Sequence, residues 1–112
     1  MLNSSTAQQL KQLYHYRCQI CGVRLKGPAG RYAEVVHIRP IEAPHSGPGT
    51  PENLLCVCPK CHVLFDISGV AIADDFHLIG RKGQLRVDFR HRIKLDHSAY
   101  RRFHYPLDPE EE

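Results

Sequence analysis

Apolar and polar positions recur along this chain in a few readable rhythms. Over residues 6–16, TAQQLKQLYHY, the residues Leu10, Leu13 and Tyr14 fall at i, i+3 and i+4. That is the stripe of a short amphipathic helix, with Thr6 placed to cap it. YAEVVHI, 32–38, is rich in β-branched and aromatic residues and predicts a strand; NLLCVC, 53–58, predicts a second. GPAGR, 27–31, reads as a loop. From Pro40 to Glu52 the chain carries Pro and Gly without periodicity. So long a loop in a compact domain is usually functional or disordered. Pro59 suits the first position of a helix and Gly69 its stop, which predicts a helix over 59–68 with Val63 and Ile67 facing the core. Short strands are expected around 70–73, 76–79 and 84–89, divided by GRKG. The stretch after them is basic with interleaved aromatics, and Glu110 to Glu112 read as an acidic, disordered end. The resulting order is strand, long loop, strand, helix, which makes the fold class α+β.

Composition narrows the class further. A chain of 112 residues predicts one domain, 1–112, with one modest core that a metal staple would help. The formal charge of +3 permits a nucleic-acid partner without demanding one. No apolar run approaches a membrane span, and the N-terminal stretch has no signal-peptide pattern, so the expected compartment is the cytoplasm. Thiols stay reduced there, so the five cysteines argue for metal ligation over a disulfide framework. The eight histidines point the same way, or to acid–base chemistry.

The cysteines fall as Cys18-x-x-Cys21 and Cys58-x-x-Cys61. Each two-residue spacer lets one turn offer two sulfurs to one ion, and four thiolates suit a tetrahedral structural Zn²⁺, one per chain. An inserted hairpin can span the gap between the pairs. Cys56 is left over and reads as a buried free thiol. The string CPKCH, 58–62, also fits covalent haem attachment. That reading leaves Cys18 and Cys21 unused and needs an export signal, so zinc is preferred.

With Cys58 and Cys61 on zinc, His62 is free for other use. His62 and Asp66 are i and i+4 on one helix face, where they could ligate a divalent cation or form an ordinary surface pair. Helix spacing alone leaves both open.

The wider pattern decides more. EVVHIRP, then a Gly-containing loop, then ENLLCVCPKCHVLFD, with both Cys pairs, resembles the HNH (ββα-metal) nuclease family over residues 18–67. It looks most like the nuclease half of restriction enzymes that join an SRA base-flipping module to an HNH module. The resemblance implies a ββα core at about 32–68, a zinc site joining 18–21 to 58–61, and C-terminal strands with a basic tail over 70–112. It implies a DNA endonuclease with His37 as general base, Asn53 as organiser of the loop, and His62 with Asp66 holding a catalytic ion. A His/carboxylate site with open water positions suits Mg²⁺ or Mn²⁺, and would accept Ni²⁺ or Co²⁺. One position departs: Val36 stands where many members carry a further metal ligand, and Glu34 is a second candidate for that duty.

Several basic residues remain. Arg39, Arg101 and Arg102 are candidate phosphate contacts. His91, His97 and His104 lie among Arg90, Arg92, Lys94, Arg101 and Arg102, with Tyr100, Phe103 and Tyr105 interleaved. The segment reads either as a phosphate-tracking surface or as a tail packed on the core with its charges in water. His45 reads as a solvated loop residue. DNA is the expected partner, with an SRA-type reader in a longer chain and a homodimer for double-strand cleavage. The other class of function is a zinc-stabilised module that binds nucleic acid or protein without catalysis. The presence of all three HNH positions favours the enzyme.

Overall fold

The computed structural model describes residues 4–106, so the acidic stretch Glu110–Glu112 lies outside the described residues. At its centre two strands, β3 (Glu34–His37) and β4 (Leu54–Val57), pair antiparallel with Val36 opposite Leu55 and His37 opposite Leu54. Every residue of β4 is buried. Leu55 and Val57 enter the larger core cluster, while Leu54 and Cys56 pack with Leu10 and Ala33 in a second. A strand covered on both faces reads as a continuous apolar run, which is what NLLCVC is. Truncating Leu55 to Ala in such a core costs about 2–5 kcal/mol.

The first helix, α1 (Ser4–Leu13), carries the expected stripe: Leu10 is buried, and Leu13 and Tyr14 pack beside it. It begins earlier than predicted, so Thr6 is a helical residue and not the cap. It ends earlier too, because His15 and Tyr16 adopt left-handed φ values of 54° and 62° and Tyr16 N–H returns to Lys11 O at 2.8 Å. The chain then enters the first Cys turn. Between the Cys pairs sits the inserted hairpin, β1 (Leu25–Gly27) with β2 (Gly30–Tyr32), inside which the predicted 27–31 loop shrinks to a tight turn.

Helix α2 (Pro59–Asp66) follows β4 directly. Pro59 occupies its first turn, and the Cys58 sulfur accepts the Cys61 N–H as a cap. Its stop comes just before the predicted one, where Gly69 N–H closes on Leu64 O at 2.7 Å. Val63 and Ile67, expected in the core, are 57% and 67% exposed. Cys61 and Phe65 face the core instead. At ~100° per residue Val63 lies about 200° from Cys61. Cys61 must reach the other thiols, and that rotation turns Val63 and Ile67 to solvent.

Beyond α2, β5 (Ala71–Ile72) and β6 (Leu78–Ile79) make a short hairpin. The strand expected at 84–89 does not form. Its backbone groups go elsewhere: Leu85 N–H to Phe76 O, Arg86 N–H to Gln19 O, and Arg86 O accepts from Gln19 Nε2 at 2.7 Å. The presumed tail contains a helix, α3 (Leu95–His104), that packs against β5. Its buried residues are His97, Ser98 and Arg101, so the inward stripe is polar and apolar periodicity could not reveal it.

Candidate functional site

The Cys18 and Cys58 turns bring four sulfurs together. The Sγ atoms of Cys18, Cys21, Cys58 and Cys61 all lie within 4.8 Å of one another, and Cys21 Sγ is 3.7 Å from Cys58 Sγ. A zinc tetrahedron with Zn–S of about 2.3 Å has edges of roughly 3.8 Å, so the sulfurs fit that ion. Backbone N–H groups of Cys21 and Cys61 point at Cys18 Sγ and Cys58 Sγ at 3.4 and 3.5 Å. Burial, then the charge of Cys18, push the Cys61 thiol up, a cost that a bound cation would offset. The convergence of all four sulfurs leaves no role for covalent haem at Cys58 and Cys61. Cys56 is a free, fully buried thiol, pushed up to about 12 mainly by burial, and so inert.

The second site is an open cleft of about 480 Å³ lined by His37, His62, Asp66, Arg101 and Glu42, among others. His37 ends β3. Its Nε2 is buried and has no hydrogen-bond partner among the described residues. Burial lowers its pKa, against a smaller upward pull from Glu42, so the ring is neutral at pH 7 with a lone pair to offer. His62 and Asp66 share one face of α2, with His62 Nε2 3.4 Å from Asp66 Oδ2. Cis ligands on one octahedral ion stand roughly 3 Å apart, so this pair fits a divalent cation with little adjustment. Apart from the four cysteines, no group of three or more His, Cys, Asp or Glu ligands converges among the described residues. Glu34 does not join His62 and Asp66 as a third such ligand. Its Oε1 lies 2.8 Å from His62 Nδ1, and its Oε2 accepts the Tyr32 hydroxyl at 2.7 Å. Val36 is 4% exposed and packs into the larger core cluster while also forming part of the cleft wall.

The loop between the strands is held from below. Asn53 is fully buried; its Oδ1 accepts Arg39 N–H at 2.7 Å, and its Nδ2 donates to Arg39 O and Pro48 O at 2.9 and 2.8 Å. Gly47 lies so close that a Cβ there would sit 2.1 Å from Arg39 O. His45, expected to be solvated, is a latch: Nδ1 meets Tyr100 Oη at 2.7 Å and Nε2 meets Tyr105 Oη at 2.9 Å. Both tyrosines come from α3 or its end, which sequence proximity could not show.

The three arginines expected at DNA are engaged internally. Arg39 Nε donates to His45 O at 2.6 Å, and its guanidinium lies over Tyr100. Arg101 is buried between the Phe65 and Tyr105 rings and donates to Phe65 O at 2.6 Å, yet it also lines the cleft. Arg102 bonds Ile72 O and Asp74. His91 and His97 are buried, and burial lowers both pKa values. The packed reading of this segment therefore holds for α3, with His104 and Phe103 left outside. Cations that sequence reasoning passed over stand on the inserted hairpin. Lys26 pairs across from Arg31, and Arg24 bridges to Arg17. By strand alternation all four project to one face. They are exposed, and none forms an ion pair among the described residues.

An antiparallel strand pair that feeds straight into a helix, with a loop-organising Asn and facing histidines, defines the ββα-metal class of nuclease fold. The particular family follows from comparison: residues 18–73 match the family model described as HNH endonuclease, and the chain belongs to that family. Among solved structures it is similar to one titled "Modification dependent TagI restriction endonuclease", with a TM-score of 0.91 and 36% identity. The match covers 98% of this chain and 40% of that one. No curated protein sequence matches significantly. No helix among the described residues is long and apolar enough to cross a membrane.

Proposed function

We propose that this nuclease domain hydrolyses DNA phosphodiester bonds with a divalent ion at His62 and Asp66 and with His37 as general base. The observation that carries the proposal is the neutral His37 ring lining the same cleft as His62 and Asp66. A neutral imidazole in the cleft wall is suited to take a proton from an attacking water. The water oxygen bonds phosphorus as its proton passes to the His37 ring, and the bond to the departing sugar oxygen breaks, that oxygen then taking a proton from solvent water. Asn53 keeps the strand-to-loop exit fixed, so His37 stays at the cleft wall. Arg101 lines the cleft while anchored to Phe65 O, and is the candidate to face a phosphate oxygen. A divalent ion, Mg²⁺ or Mn²⁺ with Ni²⁺ or Co²⁺ as substitutes, would supply Lewis-acid stabilisation of the phosphate and the departing oxygen. The cysteine cluster would hold one Zn²⁺ with a purely structural role.

Phosphates beyond the scissile one fall to cations without internal partners. Lys26 and Arg31 on the hairpin, with Arg24 at its base, suit that role better than Arg39 and Arg102. Cross-strand like charges destabilise a hairpin, and a polyanion relieves that cost. This chain covers 40% of the similar structure titled as modification dependent, and an SRA-type reader in a longer chain would supply recognition of modified DNA. A homodimer would deliver paired strand cuts.

The test is plasmid cleavage with and without Mg²⁺ or Mn²⁺, for wild type and His37→Ala, on modified and unmodified DNA. Metal-dependent nicking by wild type with loss in the variant is expected. Absence of cutting under every divalent ion would favour the non-catalytic zinc module, and equal cutting would remove His37 from its role.

A further inference from the structure

Resting on the divalent-ion reading above, a second question is how a site with two protein ligands holds its geometry. His62 is on a helix surface, 32% exposed, and its ring could turn about χ2 and present either nitrogen. A ring free to turn would lose rotamer freedom on each binding event, and half its orientations would aim N–H at the cation. The groups around it remove that freedom. Glu34 projects from β3, and its Oε1 sits 2.8 Å from His62 Nδ1, across 28 residues of sequence. The second carboxylate oxygen is held by Tyr32 Oη at 2.7 Å, so Glu34 is itself fixed. A carboxylate at Nδ1 demands a proton there. The neutral ring then carries its lone pair on Nε2, the nitrogen beside Asp66.

We propose that Tyr32 and Glu34 form a positioning relay that fixes His62 with its proton on Nδ1 and its Nε2 lone pair aimed at the divalent ion. The relay suits a cleft in which only His62 and Asp66 converge among the described residues: orientation stands in for ligand number. Carboxylate partners of this kind fix the tautomer and raise ligand basicity, and their loss typically weakens metal affinity by about 10–100-fold. Glu34 also ties β3, which carries His37, to α2, which carries His62. The same contact thus sets the spacing of the two halves of the cleft.

The experiment uses the full zinc-loaded chain as wild type, Glu34→Gln, Glu34→Ala and Tyr32→Phe. Mn²⁺ affinity is measured by calorimetry without DNA. The His62 tautomer is read from ring ¹⁵N shifts without Mn²⁺, at a pH where the ring is neutral. Expected are an Nδ1 proton in wild type and E34Q, whose amide oxygen still accepts it, and a shift toward the Nε2 tautomer in E34A. Mn²⁺ binding should weaken by ~10–100-fold in E34A and by less in E34Q and Y32F. Cleavage by E34A should recover at saturating Mn²⁺, because the relay acts on binding. Unchanged tautomer and Mn²⁺ affinity in E34A overturn the relay. Equal losses in E34Q and E34A overturn it too, since they make Glu34 a direct ligand. A wild type with the Nδ1 proton but no Mn²⁺ binding and no DNA cleavage overturns the divalent-ion reading beneath it. Metal binding and cutting with an indifferent E34A overturn the relay alone.

Discussion

Helix α2 serves two clusters of potential metal ligands, built on opposite plans. On its core side Cys58 and Cys61 meet Cys18 and Cys21 in a closed, largely buried set of four sulfurs. On its outer side His62 and Asp66 stand 32% and 57% exposed, with no third protein ligand converging on them among the described residues. A closed set holds an ion for structure, and an open set leaves positions for water and substrate. The two are rigidly coupled, because the turn that seats Cys58 and Cys61 also starts the helix that presents His62. The closed cluster defines its own geometry by ligand count. The open one depends on neighbours: Glu34 at the His62 ring, Asn53 under the loop, Arg101 between strand and helix.

The comparison can be broken most severely at the closed cluster. Cys61→Ser should lose zinc and the cooperative thermal transition, removing most of a stability that for small domains is about 5–15 kcal/mol; calorimetry and metal analysis check this. Cleavage should disappear with the fold, whereas His37→Ala should abolish it with the fold intact. A lost general base typically costs ~10²–10⁴-fold in rate, measured as single-turnover cleavage. Asn53→Ala lies between the two kinds of site. It strips partners from Arg39 and Pro48, at about 1–3 kcal/mol for each buried group left unpaired, and should lower both melting temperature and cleavage. At the edge, Lys26→Ala with Arg31→Ala should flatten the salt dependence of duplex binding by a slope of about two, with cleavage at saturating DNA unchanged. An unchanged slope would mean a merely solvated hairpin.

Acid offers a further separation. His37, His91 and His97 all have pKa values lowered by burial. The unfolded chain therefore takes up protons near the ordinary histidine value of about 6.5 while the fold resists them. Their contribution to stability is present above that value and is lost as pH falls through it and then through the lowered folded values. Melting temperature should drop between pH 7 and 5, and the basic form of His37 should persist below 6.5 in the pH–rate profile.

Much of this was legible in the chain itself. The two C-x-x-C spacings, the apolar run of β4 and Pro59 at a helix start are local signals: each depends on residues a few positions apart, and the structure carries each of them. Where a face was chosen by a distant demand, the local reading failed. Val63 and Ile67 look like core until Cys61 claims the inward side of α2 for the thiol cluster.

Helix α3 hid because its inward stripe is His97, Ser98 and Arg101, polar residues that apolar periodicity does not count; the Arg101 partner, Phe65 O, comes from α2. His45 looked solvated because its two tyrosines lie more than fifty residues on. The sequence by itself determined which ligands exist and on what local elements they ride, since spacing and periodicity are properties of neighbours along the chain. Only the tertiary structure decided which polar groups satisfy one another: that Glu34 faces His62 Nδ1, that Arg39 and Arg102 are engaged internally, and that Lys26 and Arg31 stand opposite each other on the hairpin. Hydrogen-bond and charge partners are chosen by proximity in space, and that proximity comes into being only when the elements pack.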